Sequence, residues 1–240
     1  MSPSSTSSSP SGYFPSLPLE GELNKPNGNN DLQEIVEAFL LVTKQKRNNL
    51  KVVIKDKKAQ DQLTNKGFGQ REDSDFLLQP YEALYLVYTN RLILKNLAYE
   101  EISFSQLLHI VLKQDKHILT KFLVYRDLRS RGYVAKEGFG FGLDFRVYER
   151  GEFEKKPAKY VVFSISEGTD ITAGSFASVI EEIRRMGKFP VAAVIERRGE
   201  IIYYKTSKVH FGDNKDFSTT ANNVVEGVHF GDITQDGQIF

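Results

Sequence analysis

YRDLRSRGYVAKEGFGFGLDFRVYERG, residues 125–151, sets a helix end, a glycine-rich alternating segment and a tyrosine in immediate succession. Leading into it, Ile118 and Phe122, Leu119 and Leu123, and Val124 and Leu128 recur at i,i+4, and Asp127 stands one turn before Arg131, so a helix is predicted. Gly132 lies where a left-handed residue ends a helix, with Arg129 and Arg131 in the last turn facing the negative end of the dipole. From Gly138 the period becomes two. Phe139, Phe141, Leu143, Phe145 and Val147 alternate with Gly138, Gly140, Gly142, Asp144, Arg146 and Tyr148, which predicts one strand with a core face and a face that runs from bare to polar. Glycines on that second face let another group approach the backbone, although a plain edge strand fits the same pattern. A phosphate-binding glycine loop is excluded, because such a loop follows a strand and opens a helix, whereas here the alternation continues.

The flanks extend this into an α/β (α+β) pattern. Leu50–Ile54 alternates as a short strand, and a helix is predicted between Asp56 and Lys66, ended by Gly67. Pro80 suits a first helical turn ahead of Ala83, Leu84 and Val87, and Ser103 with Gln106 forms a capping-box pattern before Leu107, Leu108 and Val111. His109, among apolar neighbours, reads as structural. Asp31–Arg47 carries Leu32, Ile35, Val36, Phe39 and Leu40 at helical spacing, predicting an amphipathic helix packed on its own chain. On the C-terminal side, Lys159–Ile165 predicts a strand, and Phe176, Val179, Ile180, Ile183 and Met186 make one helical stripe ended by Gly187. Phe189–Ile195 and Glu200–Lys205, joined through Arg197-Arg198-Gly199, predict two more strands of a mixed sheet with one helix packed over it.

The ends differ from the middle. Residues 1–30, rich in Ser, Pro, Gly and Asn, offer too little apolar surface to offset the entropy of ordering and are predicted to be a disordered tail. Val209–Asp213 (VHFGD) recurs as Val228–Asp232; two copies are too few for a solenoid, leaving a loose tail or two short β segments that add to a partner's sheet edge. The predicted organisation is a tail over 1–30, a small N-terminal α/β domain over 31–117 with its extra helix, a second domain over 118–208, and a tail over 209–240.

Charge and composition narrow the chemistry. A formal net charge of +1 over 240 residues gives no global basic signal, so RNA binding must come from local groups: Arg126, Arg129 and Arg131, Arg184 and Arg185, Arg197 and Arg198. Cysteine is absent, which removes disulfides, thiolate chemistry and cysteine zinc sites, and His109, His117, His210 and His229 lack metal-ligand spacing; no metal and no cofactor are predicted. With no apolar run long enough to span a bilayer and no basic start with an apolar core, a cytoplasmic protein is expected.

YRDLRSRGY followed by GFGFGLDFRVYERG closely resembles the catalytic domain of the tRNA-splicing (tRNA-intron) endonucleases of archaea and eukaryotes. LQPYEALYLV from Leu78, KYVVFSISEG from Lys159 and GKFPVAAVIERRGEIIYYK from Gly187 extend the resemblance over roughly residues 50–208, with the archaeal two-domain form. The resemblance implies metal-independent cleavage, in which the ribose 2′-hydroxyl attacks the adjacent phosphate to leave a 2′,3′-cyclic phosphate and a 5′-hydroxyl. It implies a tyrosine, a histidine and a lysine for proton acceptance, leaving-group protonation and charge stabilisation. The tyrosine after the DFR motif matches Tyr148 and the lysine before PVAAVI matches Lys188, but the histidine that precedes a segment like SKYLV is replaced by Pro157. Proline has neither a titratable group nor a backbone N–H. Lys155, Lys156 or Lys159 would be reluctant replacements at neutral pH, because an exposed lysine titrates near about 10.4; His210 lies in the tail. Tyr148 also reads as an ordinary surface tyrosine, and Lys188 as a lysine opposing a helix dipole.

Family members assemble from paired catalytic-domain copies, including heterotetramers in which one subunit cuts and another scaffolds. The resemblance therefore implies a structural, non-catalytic subunit that binds a homologous catalytic partner and helps hold the bulge-helix-bulge of pre-tRNA. Arg146, Arg184, Arg185, Arg197 and Arg198 are the candidate RNA contacts. One alternative is an active endonuclease subunit whose general acid comes from elsewhere; another is an RNA-binding assembly protein outside splicing.

Overall fold

The computed structural model describes residues 35–43, 49–140, 142–209 and 227–232. The tail over 1–30 lies outside them. The N-terminal region is a five-stranded sheet with helices on its inner face. β1 (Val36–Thr43) pairs antiparallel with β2 (Asn49–Ile54); α1 (Lys57–Asn65) follows, started by Asp56, whose Oδ2 accepts the Ala59 amide at 2.8 Å. Next come β3 (Gln70–Glu72), β4 (Asp75–Leu78), α2 (Pro80–Tyr88), β5 (Leu92–Lys95) and α3 (Phe104–Leu112), and the strand order is β3-β4-β2-β1-β5. The Ser103–Gln106 capping box is formed in both directions. His109 is exposed on α3 rather than packed among its apolar neighbours.

The amphipathic helix expected over 31–47 is a strand where the chain is described, at 36–43; residues 31–34 and 44–48 lie outside the described set. Val36, Ala38 and Leu40 are buried while Glu37 is exposed and Phe39 and Leu41 are half-buried, a period of two. The apolar positions satisfy both periods, and the sheet decides between them. β1 fills the slot between β2 and β5, antiparallel to one and parallel to the other, so tertiary pairing overrides the helical spacing.

The C-terminal region begins with α4 (Ile118–Ser130). The Tyr133 amide donates to Leu128 O, the Gly132 amide donates to Arg129 O, and Gly132 has φ 85°, the predicted helix stop. Asp127 accepts from Arg131 Nε at 2.7 Å. The single glycine-faced strand expected from Gly138 is two strands, β6 (Val134–Gly140) and β7 (Leu143–Tyr148), joined by a tight hairpin with Gly140 at φ 83° and Gly142 at φ 81°. Leu143, Phe145 and Val147 are buried as the alternation predicts, but Phe139, on the other strand, is exposed. The group that approaches the glycine backbone is the hairpin's own partner strand. A Cβ on Gly138 would lie 1.9 Å from the Leu143 carbonyl oxygen, where the register slips between Glu137 and Gly140.

β8 (Tyr160–Ser166), α5 (Ala173–Arg185) and β9 (Phe189–Ile195) form a parallel crossover, and β10 (Ile201–Val209) and β11 (Gly227–Asp232) complete a sheet of order β11-β10-β9-β8-β7-β6. The second VHFGD copy lies in β11, antiparallel to β10 of its own chain; the first begins at the last residue of β10, and its residues 210–213 lie outside the described set. One sheet face, with Val161, Phe163 and Ala192, packs under Ile183 and Phe176 of α5. The other, with Phe145, Val147, Tyr160, Val162 and Val191, joins α4, α2 and the N-terminal sheet in one continuous core. At its centre the Tyr81 ring lies 4.8 Å from Tyr125 and 5.1 Å from Phe145.

Buried polar groups tie the two regions together. Glu82, fully buried, accepts from the Gly69 and Gln79 amides and from Lys136 Nζ at 3.2 Å, and Lys136 also donates to Gly69 O. Tyr81 donates to Glu137 at 2.9 Å, and burial pushes its phenol well above the ordinary range. Arg129, 2% exposed, donates to Lys66 O and stacks on Phe68, so it is a structural residue and not an RNA contact.

Candidate functional site

Strand register assembles the site. The last pairs are Val147↔Tyr160 between β7 and β8 and Tyr160↔Phe189 between β8 and β9. The Lys159 amide donates to Val147 O, and the Phe189 amide donates to Lys159 O. One residue beyond, Tyr148, Lys159 and Lys188 therefore occupy neighbouring positions at one end of three adjacent strands. Their parity, that of Val161 and Ala192, assigns them to the α5 face. Two sequence candidates separated by 40 positions are brought to one row.

Each is fixed differently. Tyr148 is half-buried, its ring edge-on to Phe153 at 5.1 Å, and Phe153 in turn lies beside the Gly67 turn. Lys188 follows a helix end. Gly187, at φ 69°, donates to Arg184 O, and the Lys188 amide donates to Ile183 O at 3.2 Å, so the C-cap of α5 delivers the lysine to the start of β9. Lys188 is half-buried and makes no ion pair among the described residues.

Pro157 is exposed, two residues before Lys159, in the connection between β7 and β8. Of the three lysines around it, Lys156 pairs with Glu152 and Lys159 pairs with Glu149, while Lys155 is exposed. The hydrogen bond from Lys159 holds the Glu149 carboxyl below the usual range, and the same bond raises the Lys159 ammonium.

The arginine candidates divide by position. Arg184 and Arg185 are exposed on the last turn of α5, at the same end as Lys188; Arg185 makes a 3.5 Å contact with Glu181. Arg146 shares the face of Tyr148, but its Nε donates to Glu137 O at 2.8 Å and its guanidinium lies over Phe139, directing it to the β6 edge. Arg197 and Arg198, exposed in the β9–β10 turn, stand at the opposite end of β9, about 20 Å away by strand rise. Arg131 is held by Asp127 under Tyr203, and Arg126 lies over Tyr88. Toward the other end of β7, Asp144 accepts the Ser164 amide at 2.7 Å, and burial raises its carboxyl above the ordinary value despite that bond and the nearby Lys121 and His117. Sequence reasoning passed over Phe153 and Glu149, which brace Tyr148 and occupy Lys159; nothing in their spacing marked them. Among the described residues no cluster of His, Asp and Glu is arranged to hold a metal, and no helix is long and apolar enough to cross a membrane.

Two family models match this architecture. Residues 118–203 match the tRNA intron endonuclease catalytic C-terminal domain, and residues 44–108 match the tRNA intron endonuclease N-terminal domain. Among similar proteins, a tRNA-splicing endonuclease of Methanococcus vannielii is 31% identical over 154 residues, 64% of this chain and 87% of the relative. One of Thermococcus onnurineus is 32% identical over 155 residues, 64% and 89%. One of Methanothermobacter thermautotrophicus is 33% identical over 138 residues, 57% and 79%. With both halves of its fold matched and relatives aligned over most of their length, the chain belongs to the tRNA intron endonuclease family.

Proposed function

We propose that this chain is the structural subunit of a heteromeric tRNA-splicing endonuclease, engaging pre-tRNA at a bulge-helix-bulge while a homologous partner supplies the complete catalytic set. The observation that carries this is Pro157. The row of Tyr148 and Lys188 offers a group to meet the 2′-hydroxyl and a cation for the developing phosphorane charge. At the position that the family resemblance gives to the acid there is no proton to deliver to the 5′-oxygen. Loss of a positioned general acid costs about 10²–10⁴ in rate. Lys159, the neighbouring cation, is a poor substitute because Glu149 stabilises its charged form. That pairing argues against the alternative of an active subunit with a local replacement acid.

The test is cleavage of a bulge-helix-bulge RNA without metal by the purified chain, alone and mixed with a histidine-bearing homologue. The expected outcome is no cleavage alone, with a stable complex and cleavage in the mixture. If no such homologue binds while the chain still binds RNA, the assembly role outside splicing is favoured instead.

A further inference from the structure

Strands β1, β2 and β5 send alternate residues such as Val36, Val52 and Leu92 into the core, which leaves the other face of the N-terminal sheet outward. On that face the register sets Phe39 beside Val53 and Lys95, and Val53 beside Leu77. Val53 and Leu77 are enclosed, but on the β1 and β5 side Phe39, Leu41 and Ile93 are only half-buried, and Ile35 is 62% exposed. Just after β5, Asn96 builds a turn: its Oδ1 accepts the Ala98 and Glu100 amides, and its Nδ2 donates to Glu100 at 2.8 Å. The turn holds Leu97 72% and Tyr99 71% exposed, with Tyr99 at φ 63°, a left-handed conformation that a bulky residue seldom adopts. The Tyr99 ring stands edge-on to Phe39 at 5.8 Å, and Lys55 Nζ lies 4.6 Å from the Phe39 centroid. Large apolar side chains held outward together mark a contact surface.

A segment able to cover it is already attached. Residues 1–34 lead directly into Ile35 and β1, and Tyr13, Phe14, Leu17, Leu19 and Leu23 cluster within residues 13–23 of an otherwise Ser, Pro and Asn-rich sequence. Pro15 and Pro18 favour an extended backbone, on which Leu17, Leu19 and Leu23 share one side. Glu20 and Glu22 complement Lys55, which makes no ion pair among the described residues, whereas Lys51 and Lys95 are held by Glu72 and Glu37. Residues 24–34 can bridge up to about 40 Å, against roughly 20 Å across a five-stranded sheet. A tether of that length supplies roughly millimolar effective concentration, so docking too weak to hold a second molecule suffices within one chain. We infer that residues 13–23 dock as an extended strap on the outer face of the N-terminal sheet, over Phe39, Leu97 and Tyr99. The strap does not depend on the role proposed for the Tyr148 row.

The chain contains no cysteine, so two introduced thiols report the contact without background. In the full chain, Ser16→Cys with Ala98→Cys should close a disulfide within the monomer under mild oxidation, at a rate independent of protein concentration. Adding Tyr13→Ser, Phe14→Ser and Leu17→Ser leaves the tether and both thiols in place and should slow closure about tenfold. Tyr99→Asn, which tolerates the left-handed turn, should slow it to a similar extent from the sheet side. Closure at one rate in all three backgrounds would mean that residues 13–23 are tethered but not docked, and would overturn the inference, as would thiols that never close. Slowing by the three serine changes but not by Tyr99→Asn would put the strap on another surface and contradict it. Covalent dimers, formed faster as concentration rises, would give the face to a second copy instead.

Discussion

In the proposed reading Pro157 stands where the family resemblance gives a histidine, offering neither a titratable side chain nor a backbone donor, and beside it Lys156 and Lys159 are committed to Glu152 and Glu149. The row beside it keeps its geometry through residues that do no chemistry: Phe153 braces Tyr148, and the Gly187 cap places Lys188. Asp144 carries a testable electrostatic cost. Its folded carboxyl titrates above the ordinary range because burial disfavours the charged form. The protein therefore loses stability as pH rises from the ordinary carboxylate pKa to the raised folded one, and the cost persists at neutral pH. Asp144→Asn keeps an oxygen that can accept from Ser164 and removes the ionisation. Thermal melts at several pH values should show the variant gaining on wild type as pH rises from about 3 to 7. A difference independent of pH would mean that burial imposes no ionisation cost there.

The β6–β7 hairpin shows how one element can mislead a sequence reading and still be predicted energetically. The hairpin sets Gly140 opposite Leu143, which exchanges odd and even faces, and the slip between Glu137 and Gly140 exchanges them back, so the unbroken phenylalanine–glycine alternation of the sequence mimics one strand without describing the faces at the hairpin's end. The structure separates its glycines. Gly138→Ala drives a Cβ into the Leu143 carbonyl and should cost about 2 kcal/mol or more by overpacking against backbone, whereas Gly140→Ala meets nothing within 4 Å and costs about 1 kcal/mol through its left-handed φ. Chemical denaturation of the two variants checks the order, and an equal or reversed order would contradict the hairpin geometry. The helices were legible because their signals are local: the Ser103–Gln106 box, Pro80 at a first turn, and Gly132 and Gly187 at helix ends. β1 was not, because Val36–Leu40 satisfies both periods and only its neighbours in the sheet choose between them. Of the proposed site, Tyr148 and Lys188 come from the family resemblance, and what the structure adds is the strand register that brings them to one row. Arg129 was misassigned because its cation–aromatic burial against Phe68 depends on a residue 61 positions away.

At the scale of the whole molecule, two sheets share one core, and the Glu82–Lys136 pair clamps α2 to the β6 edge. Lys136→Met would leave a fully buried carboxylate with only backbone donors, at a cost of about 3–5 kcal/mol. Calorimetry should then show one transition moved to lower temperature, not a separate early melting of the N-terminal region; two resolved transitions would contradict a shared core. That shared core holds the Tyr148 and Lys188 row, Arg184 and Arg185 in fixed relation to one another, as the proposed scaffolding role requires. The most direct test of the central claim is the rate at which the purified chain, alone and without metal, cleaves a bulge-helix-bulge RNA, set beside Pro157→His. The account predicts wild-type cleavage at background and a gain of about 10²-fold or more in the variant; robust cleavage by the lone wild-type chain would contradict it.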